Sequence, residues 1–139
     1  MKAKNIKVIF DTNVWISFLI GKRLQIIQEY IADGHITIVI TEQLLREITE
    51  VSKRPKLKKY FPENKVKELI SFLEIVALKV AIQPLNHLCS DPKDNFLLDL
   101  IQSSKANVLV TGDKDLLVLH PFKSAQIITP KQFEQLVIE

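Results

Sequence analysis

Ile6-Lys7-Val8-Ile9-Phe10-Asp11-Thr12-Asn13 is the stretch on which the fold turns. A short apolar run containing Val and Ile ends directly in a carboxylate, which reads as a buried, central strand that delivers an acid at its carboxyl end. Working outward, residues 12–20 and 23–33 carry helical spacing, with Leu24, Ile27 and Ile31 on one stripe and Gly34 as the stop. A second strand is expected over 36–40, then a helix over 42–53 with Thr41 as N-cap and Pro55 as terminator. Pro62 opens a helix of about 16 residues carrying Val66, Leu69, Ile70, Leu73 and Val76. A short third strand is expected over 79–83, before Pro84, and a helix over 92–104 behind Asp91-Pro92. Strands over 107–110 and 126–128 and a C-terminal helix from Pro130 complete the pattern. Strands alternating with helices predict an α/β fold with a mainly parallel sheet of four to five strands.

The composition agrees with one domain over 1–139. Of the 139 residues 47% are apolar and 25% charged, and the mean hydropathy is +0.11, values of a compact core rather than a disordered tail. Lys2, Lys4 and Lys7 ahead of Val8-Ile9-Phe10 imitate the start of a signal peptide. Asp11 cuts the apolar region short, and no small-x-small cleavage site follows. The uncharged run from Thr12 to Gly21 is too short to span a bilayer. The expectation is a cytoplasmic protein with no membrane contact. Cys89, the single cysteine, excludes an internal disulfide and a multi-thiolate metal site. The net charge is +3, and the basic residues cluster: Lys53, Arg54, Lys56, Lys58, Lys59, Lys65 and Lys67 lie in a segment whose one acid is Glu63. That segment is either a solvated helix end and loop or a clamp for a nucleic-acid backbone, with Lys53, Arg54, Lys56, Lys58 and Lys59 as the RNA-binding candidates.

The acids decide between those readings. Ligands of open parallel sheets bind outside the carboxyl ends of the strands. Asp11 follows the first strand directly and Asp113 follows the fourth after Thr111-Gly112, so two carboxylates from separate strands can meet at one edge. Purely structural roles are open to both, Asp11 as a helix N-cap and Asp113 as a turn residue. At about 100° per residue Glu47 lies about 60° from Leu44 and about 40° from Val51, on the flank of the buried stripe, while Glu42 and Glu50 fall away from it. By the same arithmetic Asp94 lies about 60° from Leu97 and about 20° from Ile101, and Asp99 points to the opposite face. A capping box with Asp91 is the structural alternative for Asp94. Asp11, Glu47, Asp94 and Asp113 thus form an inward set of four acids from four elements. Like charges in one cleft raise their own pKa values or recruit a cation, and oxygen-only ligation suits Mg²⁺ or Mn²⁺. Such a site can activate water for in-line displacement at a phosphodiester. His35, His87 and His120 show no metal-ligand spacing, and nucleophile-elbow, Walker A and dinucleotide glycine motifs are absent.

The set Ile9-Phe10-Asp11-Thr12-Asn13, Leu44-Leu45-Arg46-Glu47-Ile48, Asp91-Pro92-Lys93-Asp94-Asn95 and Val110-Thr111-Gly112-Asp113-Lys114-Asp115-Leu116 resembles the PIN-domain family of metal-dependent ribonucleases. It looks most like the prokaryotic toxin components of toxin–antitoxin systems, the VapC-like branch. The resemblance runs from about residue 6 to residue 137, with the four motifs in order. It implies a PIN-like fold with helices on both faces of the sheet, and a metal-dependent endoribonuclease that hydrolyses RNA at a carboxylate-bound Mg²⁺ or Mn²⁺. Carried over by position, Asp11, Glu47, Asp94 and Asp113 are the catalytic metal-binding set, Asp115 is an accessory acid, and Asn13 and Thr111 orient the carboxylates through hydrogen bonds. Asp91 competes with Asp94 for the third position. Family members pair as homodimers, and toxins are silenced by a small antitoxin protein. Two further readings stand beside this one. In the first, a non-catalytic PIN-like module holds RNA or a protein through residues 53–67. In the second, the chain is a haloacid-dehalogenase-type phosphatase, whose usual second aspartate is here Asn13.

Overall fold

The computed structural model describes residues 5–21 and 23–138. Five parallel strands form one sheet: β1 (Ile6–Phe10), β2 (Ile36–Ile40), β3 (Leu78–Lys79), β4 (Val108–Val110) and β5 (Gln126–Ile128), in the order β3-β2-β1-β4-β5. Seven α-helices are present among the described residues: α1 (Thr12–Ile20), α2 (Leu24–Ala32), α3 (Glu42–Ser52), α4 (Glu63–Val76), α5 (Asn95–Ser104), α6 (Lys114–Leu117) and α7 (Pro130–Ile138). Short 3₁₀ turns cover Lys58–Tyr60 and Pro92–Asp94.

Successive residues of a strand point to opposite faces. In β1 Val8, Ile9 and Phe10 are all buried, as are Ile38, Val39 and Ile40 in β2 and Val108, Leu109 and Val110 in β4. Both faces of the sheet are therefore covered. Phe10 meets Trp15 and Phe18 of α1 and Phe133 of α7 edge-on, with ring centroids 5.1, 5.1 and 5.2 Å apart. These contacts fix the first helix and the last on the central strand.

Local chemistry explains most boundaries. Gly34, at φ +75, closes α2 in the left-handed region open to glycine, and His35 N donates to Tyr30 O at 3.0 Å. Thr129 and Gln132 cap α7 reciprocally: Thr129 N donates to Gln132 Oε1 at 2.9 Å and Gln132 N to Thr129 Oγ1 at 3.2 Å. Thr41 has the extended backbone of an N-cap, but its side chain makes no capping bond.

Two expectations require correction. The third strand is not 79–83 but Leu78–Lys79, paired with Val39 and Ile40. Beyond Ile40 the neighbouring chain turns into α3 at Thr41, so only the N–H of Val80 still finds a partner there, Ile40 O at 2.8 Å. The helix expected over 92–104 starts as a 3₁₀ turn, because Pro92 fixes the first residue and Asp94 N donates to Asp91 O at 3.1 Å, before α5 takes over at Asn95.

Candidate active site

β1 and β4 are neighbours, paired from Val8–Val108 to Phe10–Val110, and the chain leaves them in opposite directions across the sheet. That junction is the switch point at which open α/β sheets leave a crevice. Asp11 N donates to Val110 O at 3.1 Å, which brings the Asp11 side chain to the end of β4. Asp11 is 5% exposed. Its Oδ1 accepts the Val14 N–H at 2.8 Å, capping α1, and its Oδ2 accepts the Thr111 hydroxyl. Thr111 Oγ1 accepts the Asp113 N–H at 3.0 Å, so one threonine ties the two aspartate-bearing loops together. Asp113 caps α6 by accepting the Asp115 N–H at 2.9 Å. Capping and cleft-lining thus coexist in both aspartates.

Glu47 enters from α3, half-buried, and accepts the Thr12 hydroxyl at 2.9 Å. Asp94 comes from the 3₁₀ turn ahead of α5, and its carboxyl lies within hydrogen-bonding reach of that of Asp113. No capping box joins Asp94 to Asp91. Asp91 instead accepts the Lys93 N–H at 3.3 Å and pairs with Lys93 Nζ at 3.6 Å.

All four expected acids line one cleft of about 320 Å³, together with Asp91 and Glu50. Glu50, which the angular argument places away from the buried stripe, is exposed and stands on the rim of the cleft. Asp91 and Asp94 both line the cleft. Thr111 orients Asp11 as expected. Asn13 lines the cleft with its side chain exposed, and that side chain makes no hydrogen bond to a carboxylate among the described residues. Asp115 is exposed, does not line the cleft, and supports Asp113 through its own N–H. Sequence reasoning misses Thr12, Lys93 and the cleft position of Arg54. Thr12 follows Asp11 directly, and Lys93 sits between two acids, so proximity to the motif is the signal for both. None of the three histidines lines the cleft, and His120 Nδ1 accepts the Ile127 N–H at 2.9 Å.

Asp99 also departs from expectation. It is 3% exposed rather than turned outward, and its Oδ1 accepts the N–H groups of Leu85 and Asn86 at 3.0 and 2.8 Å and the Asn86 amide at 2.8 Å. The reason is that α5 is buried on nearly every side, so its polar face meets the 85–86 loop instead of water.

The basic segment divides. Arg54 lines the acidic cleft, while Lys53 and Lys58 line a larger hollow of about 670 Å³ between α3 and α4, which shares no residue with the cleft. Lys56 and Lys59 are exposed. Size therefore does not mark the chemistry, since the acids gather in the smaller hollow.

Six carboxylates against Arg54 and Lys93 leave that hollow short of positive charge. Burial, the shared hydrogen bond with Asp113 and the charges of Asp91 and Asp113 push Asp94 up to about 7, against the opposing pull of Lys93. Burial also raises Asp11, although Thr111 and the Val14 N–H hold it back, and burial raises Glu47, against the Thr12 hydroxyl and Lys93. Among the described residues no three acid, histidine or cysteine side chains stand drawn together as a ready coordination set. The donor set still fits a hard divalent cation: it is all oxygen, and its acids repel one another.

A family model described as PIN domain matches residues 7–115, a span that contains Asp11, Glu47, Asp94 and Asp113. The uncharacterized protein MJ1680 of Methanocaldococcus jannaschii is 32% identical, over 96% of this chain and 92% of its own. The crystal structure of PAE2754 from Pyrobaculum aerophilum superposes with a TM-score of 0.61 at 14% identity, covering 96% of this chain and 91% of that one, and so shares the fold. With the family model matched over residues 7–115, the chain belongs to the PIN-domain family.

Proposed function

We propose that this protein is a metal-dependent endoribonuclease that hydrolyses RNA phosphodiester bonds with Mg²⁺ or Mn²⁺. The observation that carries the reading is the convergence of Asp11, Glu47, Asp94 and Asp113, from four separate elements, on one cleft at the junction of β1 and β4. Asp11, Glu47, Asp94 and Asp113 would hold the divalent cation, which would supply Lewis acidity at the scissile phosphate and lower the pKa of a bound water. The chain's own part is positioning. Thr111 and the Val14 N–H lock Asp11, Thr12 locks Glu47, and α6 fixes Asp113 through the Asp115 N–H. Arg54 and Lys93 are the cations within the cleft, suited to a phosphate entering it.

Purified protein is expected to cleave single-stranded RNA with Mn²⁺ and to lose that activity with EDTA and in Asp11→Asn. Cleavage that persists in EDTA or in the variant overturns the reading. RNA binding without metal-dependent cleavage favours the non-catalytic module instead. Membership of the PIN-domain family leaves the phosphatase reading without support.

The reading extends to a cytoplasmic toxin that pairs with a second copy and is silenced by a small antitoxin. Its support is the resemblance of the motifs, together with exposed Ile26 on the wall of a groove of about 250 Å³ between α2 and α7, a surface suited to a protein partner. Among the described residues no helix is long and apolar enough to cross a membrane. Co-expression with the product of the neighbouring reading frame, followed by light scattering, tests both partners.

A further inference from the structure

We propose that the hollow between α3 and α4 is a second nucleic-acid subsite, which takes a nucleotide of a single-stranded RNA whose chain continues from the acidic cleft over the C-terminal end of α3. The inference rests on the ribonuclease reading for the identity of the polymer and on separate residues for the site.

The hollow has the mixed lining a nucleotide needs. Phe61, Val66 and Ile70 present apolar surface for a base, and Lys53, Lys58 and Lys67 bring three ammonium groups against one acid, Glu63, which already pairs with Lys67 at 3.3 Å. Its volume of about 670 Å³ is that of a ligand pocket rather than a packing defect. Between the lining residues Lys58 and Phe61 in the chain, Tyr60 is 51% exposed, with Lys59 Nζ 5.0 Å from its ring centroid. An exposed aromatic ring among lysines is the stacking platform of sequence-tolerant single-strand binders.

The connection to the cleft follows from α3. Glu47, Glu50, Val51 and Arg54 face the cleft, whereas Thr49, Ser52 and Lys53 face the hollow. At about 100° per residue these sets lie on roughly opposite sides of a helix about 10 Å across. α3 ends at Ser52, and around that end Arg54 belongs to one hollow while Lys53 and Lys58 belong to the other. A strand crossing there meets a cation at each step.

The test uses full-length protein in EDTA, where binding is read without cleavage, and a fluorescein-labelled eight-nucleotide single-stranded RNA followed by anisotropy. Replacing Lys53, Lys58 and Lys67 together by Ala is expected to weaken binding about tenfold or more and to lower the slope of log affinity against log salt by about 2. Ser71→Phe, at an exposed position on the lining, is expected to weaken binding at least fivefold by filling the hollow while leaving the charge unchanged. Millimolar 5′-AMP is expected to compete. Affinity and salt slope unchanged in both variants overturn the subsite, as does displacement by peptides but not by nucleotides. The two proposals fail separately. RNA binding that depends on the lysines, in a protein that shows no Mn²⁺-dependent cleavage, sinks the ribonuclease reading alone. Cleavage with wild-type affinity in both variants sinks the subsite alone.

Discussion

Asp11 carries two duties on one carboxylate, since one oxygen caps α1 and the other accepts the Thr111 hydroxyl, and this leaves it little freedom to reorient. The threonines beside the acids therefore matter as much as the acids' own placement. Thr12→Val and Thr111→Val keep the side-chain shape and delete a hydroxyl. Each is expected to lower metal affinity or cleavage by about 10- to 100-fold, because groups that orient metal-binding side chains are worth that much. Manganese titration calorimetry checks it, with circular dichroism to show an intact fold. Asp94 sets a pH dependence. Its folded pKa is raised from 3.8 to about 7, so the folded chain holds a proton that the unfolded chain has released. Its contribution to stability is complete below about pH 3.8 and is lost as the pH rises through about 7. Asp11 and Glu47, also raised, act in the same direction. Metal-free protein is expected to melt at a lower temperature at pH 8 than at pH 5. Asp94→Asn should flatten the difference, and Mn²⁺ should restore more stability at pH 8. Thermal melts in EDTA and in Mn²⁺ decide it.

At the scale of elements, strands and motif acids were legible where hydrophobic pattern and chemistry pointed the same way. β1 and β2 span the expected residues, and Glu47 leans inward as its angle requires. Legibility failed where a neighbour decided. β3 is short because β2 has already turned into α3, which no pattern within 79–83 reports. Asp94 was placed by α-helical angles although it sits in a 3₁₀ turn, and it reaches the cleft because of Pro92 rather than because of those angles. Asp99 looked like a solvent-facing acid only under the assumption that α5 has a solvent-facing side. The run Phe96-Leu97-Leu98-Asp99-Leu100-Ile101 is apolar nearly all round, the mark of a helix buried in the interior. Asp99→Ala leaves the Leu85 and Asn86 N–H groups without their acceptor, and is expected to destabilise the fold by about 2 kcal/mol in urea denaturation.

At the scale of the whole molecule, a chain of net charge +3 keeps six carboxylates in one cleft with Arg54 and Lys93, and sets Lys53, Lys58 and Lys67 on the far side of α3. On the ribonuclease and subsite proposals this separation would hold the polyanion where Lys53, Lys58 and Lys67 gather and present it to the acids beside Arg54. The partition was not legible in the sequence, which shows Lys53 and Arg54 as neighbours in one basic run. The turn that follows Ser52, at the end of α3, sends them to different hollows.

The bond between Thr111 and Asp11 spans 100 positions, and the strands beneath them, β1 and β4, are paired in register. During synthesis the ribosome therefore releases Asp11 and Glu47 long before the loop that completes their pocket. A nascent chain cut short ahead of residue 111 contains Asp11, Glu47 and Asp94 but lacks Asp113 and the Thr111 hydroxyl, so on the ribonuclease reading, translation has to pass residue 113 before its product can harm the message that encodes it.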